Sequence, residues 1–161
     1  MHYLGGKFRV ANAIAAYIHL YARNDAYWEP FVGAAWVMAK VQLPRRYGSD
    51  INLPMISLFK ALQDGWLPPG DVSEDEYQAA KALPDTDPLK AFVGIGCSWG
   101  GKWFGGYARD PRSNRNFAAG AKHGLLDKLP HLRGATFFHA DFFATAPPEP
   151  CMTIYLSLIH I

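Results

Sequence analysis

The chain has 161 residues, 50% of them apolar and 19% charged, enough to close a single core without disulfides or metal. Sixteen basic and fourteen acidic side chains leave a formal charge of +2, which excludes a long disordered acidic or basic chain and confines any nucleic-acid contact to a local basic patch. No apolar run approaches the roughly 20 residues of a membrane helix, the start lacks a secretory h-region, and Cys97 and Cys151 stand in no CxxC or Cys/His spacing. A cytoplasmic protein without a metal centre is expected.

From Lys7 to about Ala22, Val10, Ile14, Tyr17, Ile18 and Tyr21 recur at spacings of three and four, which predicts a helix with that face inward. Tyr27 to Val32 reads as a short strand ending at Gly33, and Val37, Met38 and Val41 as the buried side of a following helix. Arg46 to Ile51 reads as a second strand. Met55, Ile56, Leu58, Phe59 and Leu62 then keep helical spacing as far as Gly65 and Pro68-Pro69. This alternation favours an α/β fold with a parallel sheet.

The rhythm breaks in the middle. Ser73 with Glu76 is a capping-box pattern opening a helix that Pro84 closes. Phe92 to Arg109 carries Gly94, Gly96, Gly100, Gly101, Gly105 and Gly106 among aromatics, and reads as a helix end running into a glycine-rich hairpin or loop. Phe117, Ala121, Leu125 and Leu129 restore helical spacing before Pro130. Ala135 to Asp141 and Cys151 to Tyr155 are further strand candidates on either side of a proline-rich linker.

Chemistry concentrates at Glu29-Pro30-Phe31-Val32-Gly33, followed by the small residues Ala34 and Ala35. In a parallel sheet such a strand-to-helix turn lets the backbone approach a nucleotide-like ligand, although a tight turn after a core strand has the same residues. Asp50 follows about 17 residues after Gly33, near the spacing at which an acidic side chain accepts from ribose hydroxyls; an Asp capping the next turn is the alternative. Gly96 and Gly101-Lys102 fit most of a phosphate-binding loop, but Trp103 stands where magnesium needs Ser or Thr, so an NTPase is rejected. The six histidines show no i,i+4 pair, and Cys97 reads as a buried thiol.

Four segments in order, Tyr3-Leu4-Gly5-Gly6-Lys7, Glu29 to Gly33, Ser49-Asp50-Ile51-Asn52 and Gly96 to Arg109, resemble segments of the Dam-like (D12 class) adenine-specific DNA methyltransferases, the last of them a segment of phage-type members. The resemblance implies a Rossmann-like fold using S-adenosylmethionine and acting on adenine in double-stranded DNA. It implies cofactor contacts from Tyr3, Lys7, Phe31, Gly33 and Asp50, and from Asp141 toward the adenine amino group. Lys7 offers a point charge for a carboxylate, and Tyr3 and Phe31 offer aromatic faces. Read alone, Lys7 is a solvated lysine at a helix start and Asp141 an ordinary strand-end residue.

For DNA, Lys102, Arg109, Arg112 and Arg115 supply charge to phosphates, while Trp103, Phe104 and Tyr107 offer faces on which bases could stack when the target adenine leaves the duplex. Two departures from the family stand out. Ala35 replaces a customary glycine, and Thr153-Ile154-Tyr155 resembles the strand that leads into a catalytic D-P-P-aromatic tetrapeptide, yet Leu156 to Ile161 follows. No catalytic residue is therefore assigned, and an inactive N-terminal fragment of a monomeric enzyme is expected, with about four of seven strands. Its last strand would form an exposed, aggregation-prone edge. Residues 1–65 and 134–155 are expected to form a partial cofactor-binding core, 66–133 an inserted, mostly helical DNA-recognition region, and 156–161 a non-native tail resembling translated adapter sequence. A non-catalytic DNA-binding remnant and a dinucleotide-dependent oxidoreductase are the rival readings, the latter without its G-x-G-x-x-G. Phage and restriction-modification origins are not separated.

Overall fold

The computed structural model describes residues 3–110, 112–113 and 115–157; most of the expected tail, residues 158–161, lies outside them. The chain divides into two compact units. One joins residues 5–56 to 131–157 and holds the sheet; the other joins residues 3–4 to 57–130. The breaks fall at Ile56/Ser57 and Pro130/His131.

In the sheet unit, α1 (Ala11–Tyr21) leads to β1 (Ala26–Glu29), and β2 (Arg45–Asp50), β3 (Ala135–His139) and β4 (Thr153–Ile154) complete one parallel sheet in the order β3-β2-β1-β4. The inner strand β1 is buried along its whole length, as a strand covered on both faces must be, and so shows no alternation. Trp28 Nε1 donates to Ser49 Oγ at 2.9 Å and satisfies two polar groups where β1 and β2 meet. Gly48 lies under the Phe137 ring of β3, where a Cβ would come within 2.9 Å. Arg46 ties four backbone carbonyls together, those of Met38, Val41, His131 and Arg133.

Two expectations for this unit fail. The buried stripe of α1 is Ala11, Ala15 and Ile18, while Val10, Tyr17 and Tyr21 are exposed. Small residues let the helix approach its neighbour closely, and the tyrosines are left outside. Val37, Met38 and Val41 are buried as expected, but on successive turns rather than a helix. Gly33 and Ala35 both take positive φ (47° and 55°), and bonds from Ala39 N–H to Ala35 O and from Val41 N–H to Val37 O are interrupted by the tighter Lys40-to-Val37 bond. A left-handed start cannot seed a regular α-helix.

The second unit is helical. It takes in α2 (Leu53–Gln63) from Ser57 onward, α3 (Glu74–Ala80), α4 (Pro88–Ala91), a π-helical turn (Phe92–Gly96), a 3₁₀ turn (Trp99–Gly101) and α5 (Phe117–Leu126). The Ser73/Glu76 capping box is present on α3, with both reciprocal bonds made. That helix ends at Ala80, ahead of Pro84. The glycine-rich stretch is a loop closed by an antiparallel bridge between Ser98 and Tyr107. Pro130 does not end α5; it lies in the first turn of α6 (Leu129–Leu132), where a missing N–H costs no helical bond.

Candidate functional site

With the strand order β3-β2-β1-β4, the direction of winding reverses between β1 and β4, and ligands of open α/β sheets bind outside the carboxyl ends of strands at such a point. Next to that point, the carboxyl end of β2 is tied by one side chain to the loop that follows β1. Asp50 accepts from the Gly33 N–H through Oδ2 at 2.8 Å and from the Asn52 N–H through Oδ1 at 3.0 Å. Burial raises the pKa of this carboxyl, against the opposing pull of its backbone donors and of His139. A carboxylate has about four lone-pair sites, so the amides of Gly33, Asn52 and Ile51 leave capacity for a ligand hydroxyl.

Around Asp50 the loop is built from bare backbone and small side chains. Val32 N–H donates to Ser49 O at 2.9 Å, and Ala35 N–H to Val32 O at 2.7 Å, which fixes Gly33, Ala34 and Ala35 in a tight arch. Phe31 packs on Phe142 with ring centroids 5.3 Å apart, and Phe142 also meets Trp28. Asp141 caps the 3₁₀ turn Phe142–Ala144 by accepting from the Phe143 N–H at 3.0 Å, and it is exposed. Ala140 N–H donates to Asp50 O, so the end of β3 joins the same cluster.

Phe31, Gly33, Asp50 and Asp141 are thus gathered at one end of the sheet. Lys7 Nζ donates to Gly5 O at 3.2 Å on the segment before α1. Tyr3 belongs to the helical unit, where its neighbour Leu4 donates its N–H to Gly101 O at 3.2 Å. Sequence reading quoted Glu29 only as the first residue of its motif. It ends β1 at 3% exposure and accepts from the Tyr27 hydroxyl at 3.2 Å, and burial followed by the charge of Glu29 drives the pKa of that phenol upward. An acidic residue closing an otherwise apolar strand is the signal that could have found it.

The basic and aromatic candidates all lie in the helical unit. Lys102, Arg112 and Arg115 are exposed; Arg109 pairs with Glu74 and lies 5.5 Å over the Tyr107 ring. Arg115 lies over Phe117 at 4.9 Å. Tyr107 donates its hydroxyl to Val72 O at 2.6 Å, and Phe104 packs on Tyr77. Trp103 remains 40% exposed, and Trp99, which sequence reading left without a role, 63%. Burial pushes the Cys97 thiol up to about 12, which keeps it protonated and inert. A cleft of about 340 Å³ beside it is lined by Asp71, Tyr107, Arg115 and Asn116, and Asn116 already donates to Gly70 O and Asp71.

Among the described residues, no group of three or more His, Cys, Asp or Glu is placed to hold a metal ion, and no helix is long and apolar enough to cross a membrane. A family model for D12 class N6 adenine-specific DNA methyltransferases matches residues 3–88, just over half of the chain. No curated protein matches it.

Proposed function

Because the chain belongs to the D12 class N6 adenine-specific DNA methyltransferase family, we propose that its sheet unit holds S-adenosylmethionine at the carboxyl ends of β1 and β2, and that its helical unit meets duplex DNA. The family implies methylation of adenine in DNA. The observation that carries the donor site is Asp50, a part-buried carboxyl at the end of β2, the strand beside the one that borders the switch point, tied to the Gly33 and Asn52 amides.

The residues present fit an adenosine-like group. Asp50 would accept the ribose hydroxyls, the Gly33–Ala35 arch would leave room for close backbone approach, and Phe31 would offer an aromatic face. Asp141 would accept from the adenine amino group, and Lys7 and Tyr3 would contact the methionine end. The donor, when bound, supplies a methyl group on a cationic sulfur. What this chain's own residues do is orient and shelter it. The sequence contains no D-P-P-aromatic tetrapeptide to accept from the target amino group, so we propose binding without turnover for these 161 residues.

Calorimetric titration with S-adenosylmethionine tests the donor site. Loss of a hydrogen bond to a charged group costs about 1.5–3 kcal/mol, so Asp50→Ala should weaken binding about tenfold or more. Binding of NAD in place of S-adenosylmethionine, or donor affinity unchanged in Asp50→Ala, would overturn the reading.

A further inference from the structure

We propose that the indoles of Trp99 and Trp103, rather than Phe104 and Tyr107, are the faces on which unstacked DNA bases rest, with Lys102, between them in the sequence, meeting a phosphate. This rests on the duplex contact proposed above for the helical unit. Four aromatic side chains crowd this loop, and their partners separate them into two pairs. Phe104 is held in a left-handed conformation (φ 42°), donates its N–H to Gly94 O at 2.7 Å and packs its ring on Tyr77 at 5.4 Å. That ring occupies the space a Cβ on Gly94 would need. Tyr107 spends its hydroxyl on Val72 O. Both side chains are part-buried and hold the loop to the helical unit.

The tryptophans are the reverse case. Trp99 is 63% exposed although its backbone is fixed at both groups: its N–H donates to Gly106 O at 2.9 Å, and its carbonyl accepts from the Lys102 N–H. Trp103 packs edge-on against Phe104 at 5.0 Å, which fixes the indole and leaves it 40% exposed. Two large apolar rings on an ordered loop are costly in water, so the loop is built to cover them with something. The surroundings select nucleic acid. From Gly94 to Arg109 there is no acidic residue; Arg109 is engaged by Glu74, and Lys102 is an exposed cation that stands between Trp99 and Trp103 in the sequence. An apolar protein partner would have to bury that charge, whereas a strand of DNA pairs it with phosphate while its bases take the rings. Gly100 and Gly106, with nothing within 4 Å of where a Cβ would stand, leave bare backbone beside Trp99 for a sugar-phosphate to approach.

The test is fluorescence anisotropy of the full chain with a short labelled duplex, intact or carrying one abasic site, with intrinsic tryptophan emission as the second readout. Wild type should quench on binding and prefer the abasic duplex, where unstacking is already done. Trp99→Ala and Trp103→Ala should each weaken binding about tenfold and lose that preference, while Trp99→Phe and Trp103→Phe keep most of both. Lys102→Ala should lower the slope of log affinity against log salt by about one. Salt-dependent binding with both alanine variants equal to wild type would overturn the inference and leave the duplex contact standing. Failure of wild type to bind either duplex while it still binds S-adenosylmethionine would overturn both and spare the donor site. A dimer that Trp99→Ala dissociates, with DNA affinity unchanged, would assign the indoles to self-association instead.

Discussion

Asp50 carries a pH signature that follows from its position. Its folded-state pKa lies above the ordinary carboxylate value, with burial the largest cause. The stability contributed by its neutral form is therefore complete below the unfolded value of about 3.9 and is lost as pH rises through the raised one. Once ionised, the carboxyl is held at a cost, as polar groups at ligand sites often are. Asp50→Asn removes the titration and adds only a pH-independent loss of one acceptor. Thermal melts should show wild type losing stability relative to Asp50→Asn as pH rises from about 4 through the raised value; a difference that grows in the opposite direction would sink burial as the cause. Ala35 makes a second case. Nothing in the identity of an alanine announces a φ of 55°. Left-handed alanine costs about 1–2 kcal/mol, against about 0.5–1 kcal/mol of backbone entropy for glycine and about 0.8 kcal/mol for the buried methyl. Ala35→Gly should therefore be close to neutral, and Ala34→Gly, with no strain to relieve, should cost about 1.5 kcal/mol more by the same terms. Equal melting shifts for the two would contradict that.

The strands and the capped helix α3 were readable because their signals are local. Four runs of β-forming residues bounded by turns became β1 to β4, β1 ending three residues before the expected Val32 and the others within two of their expected ends, and Ser73 with Glu76 made its cap. The face of α1 was not readable. Periodicity offers both an aromatic stripe and an alanine stripe, and which one is buried depends on how closely the neighbouring element approaches; here Ala11, Ala15 and Ile18 face in. The same closeness governs β2 and β3. A methyl on Gly48 would meet the buried Phe137 ring at 2.9 Å and Val32 at 3.1 Å, so Gly48→Ala should destabilise the sheet by about 1–3 kcal/mol through overpacking. Denaturant melts unchanged by this substitution would show that the ring can swing aside. At the other edge, β4 pairs with β1 through two residues and exposes Ile154, so it contributes little to holding the sheet together.

The two units divide the chemistry along lines that composition alone did not draw. Candidate cofactor residues from Lys7 to Asp141 fall in the sheet unit, with Tyr3 excepted, and every candidate DNA residue falls in the helical one. Motif order along the chain made that division visible, because each motif carries its own turn or charge pattern. The sorting of Phe104 and Tyr107 into scaffold and of Trp99 into surface was hidden, since it depends on Tyr77, Val72 and Gly94, which lie up to 35 positions away in sequence. Hydrogen exchange tests the division directly. A ligand at 100 times its dissociation constant stabilises the state it binds by about 2.7 kcal/mol, and the amides nearest to it gain most from suppressed local opening. S-adenosylmethionine should therefore slow exchange most at residues 31–35 and 50–52, where the Gly33 and Asn52 amides already face Asp50. Duplex DNA should slow it most at residues 98–107. Donor protection concentrated at residues 98–107, with 31–35 unchanged, would move the donor site off the strand ends and leave the burial of Asp50 without a ligand to explain it.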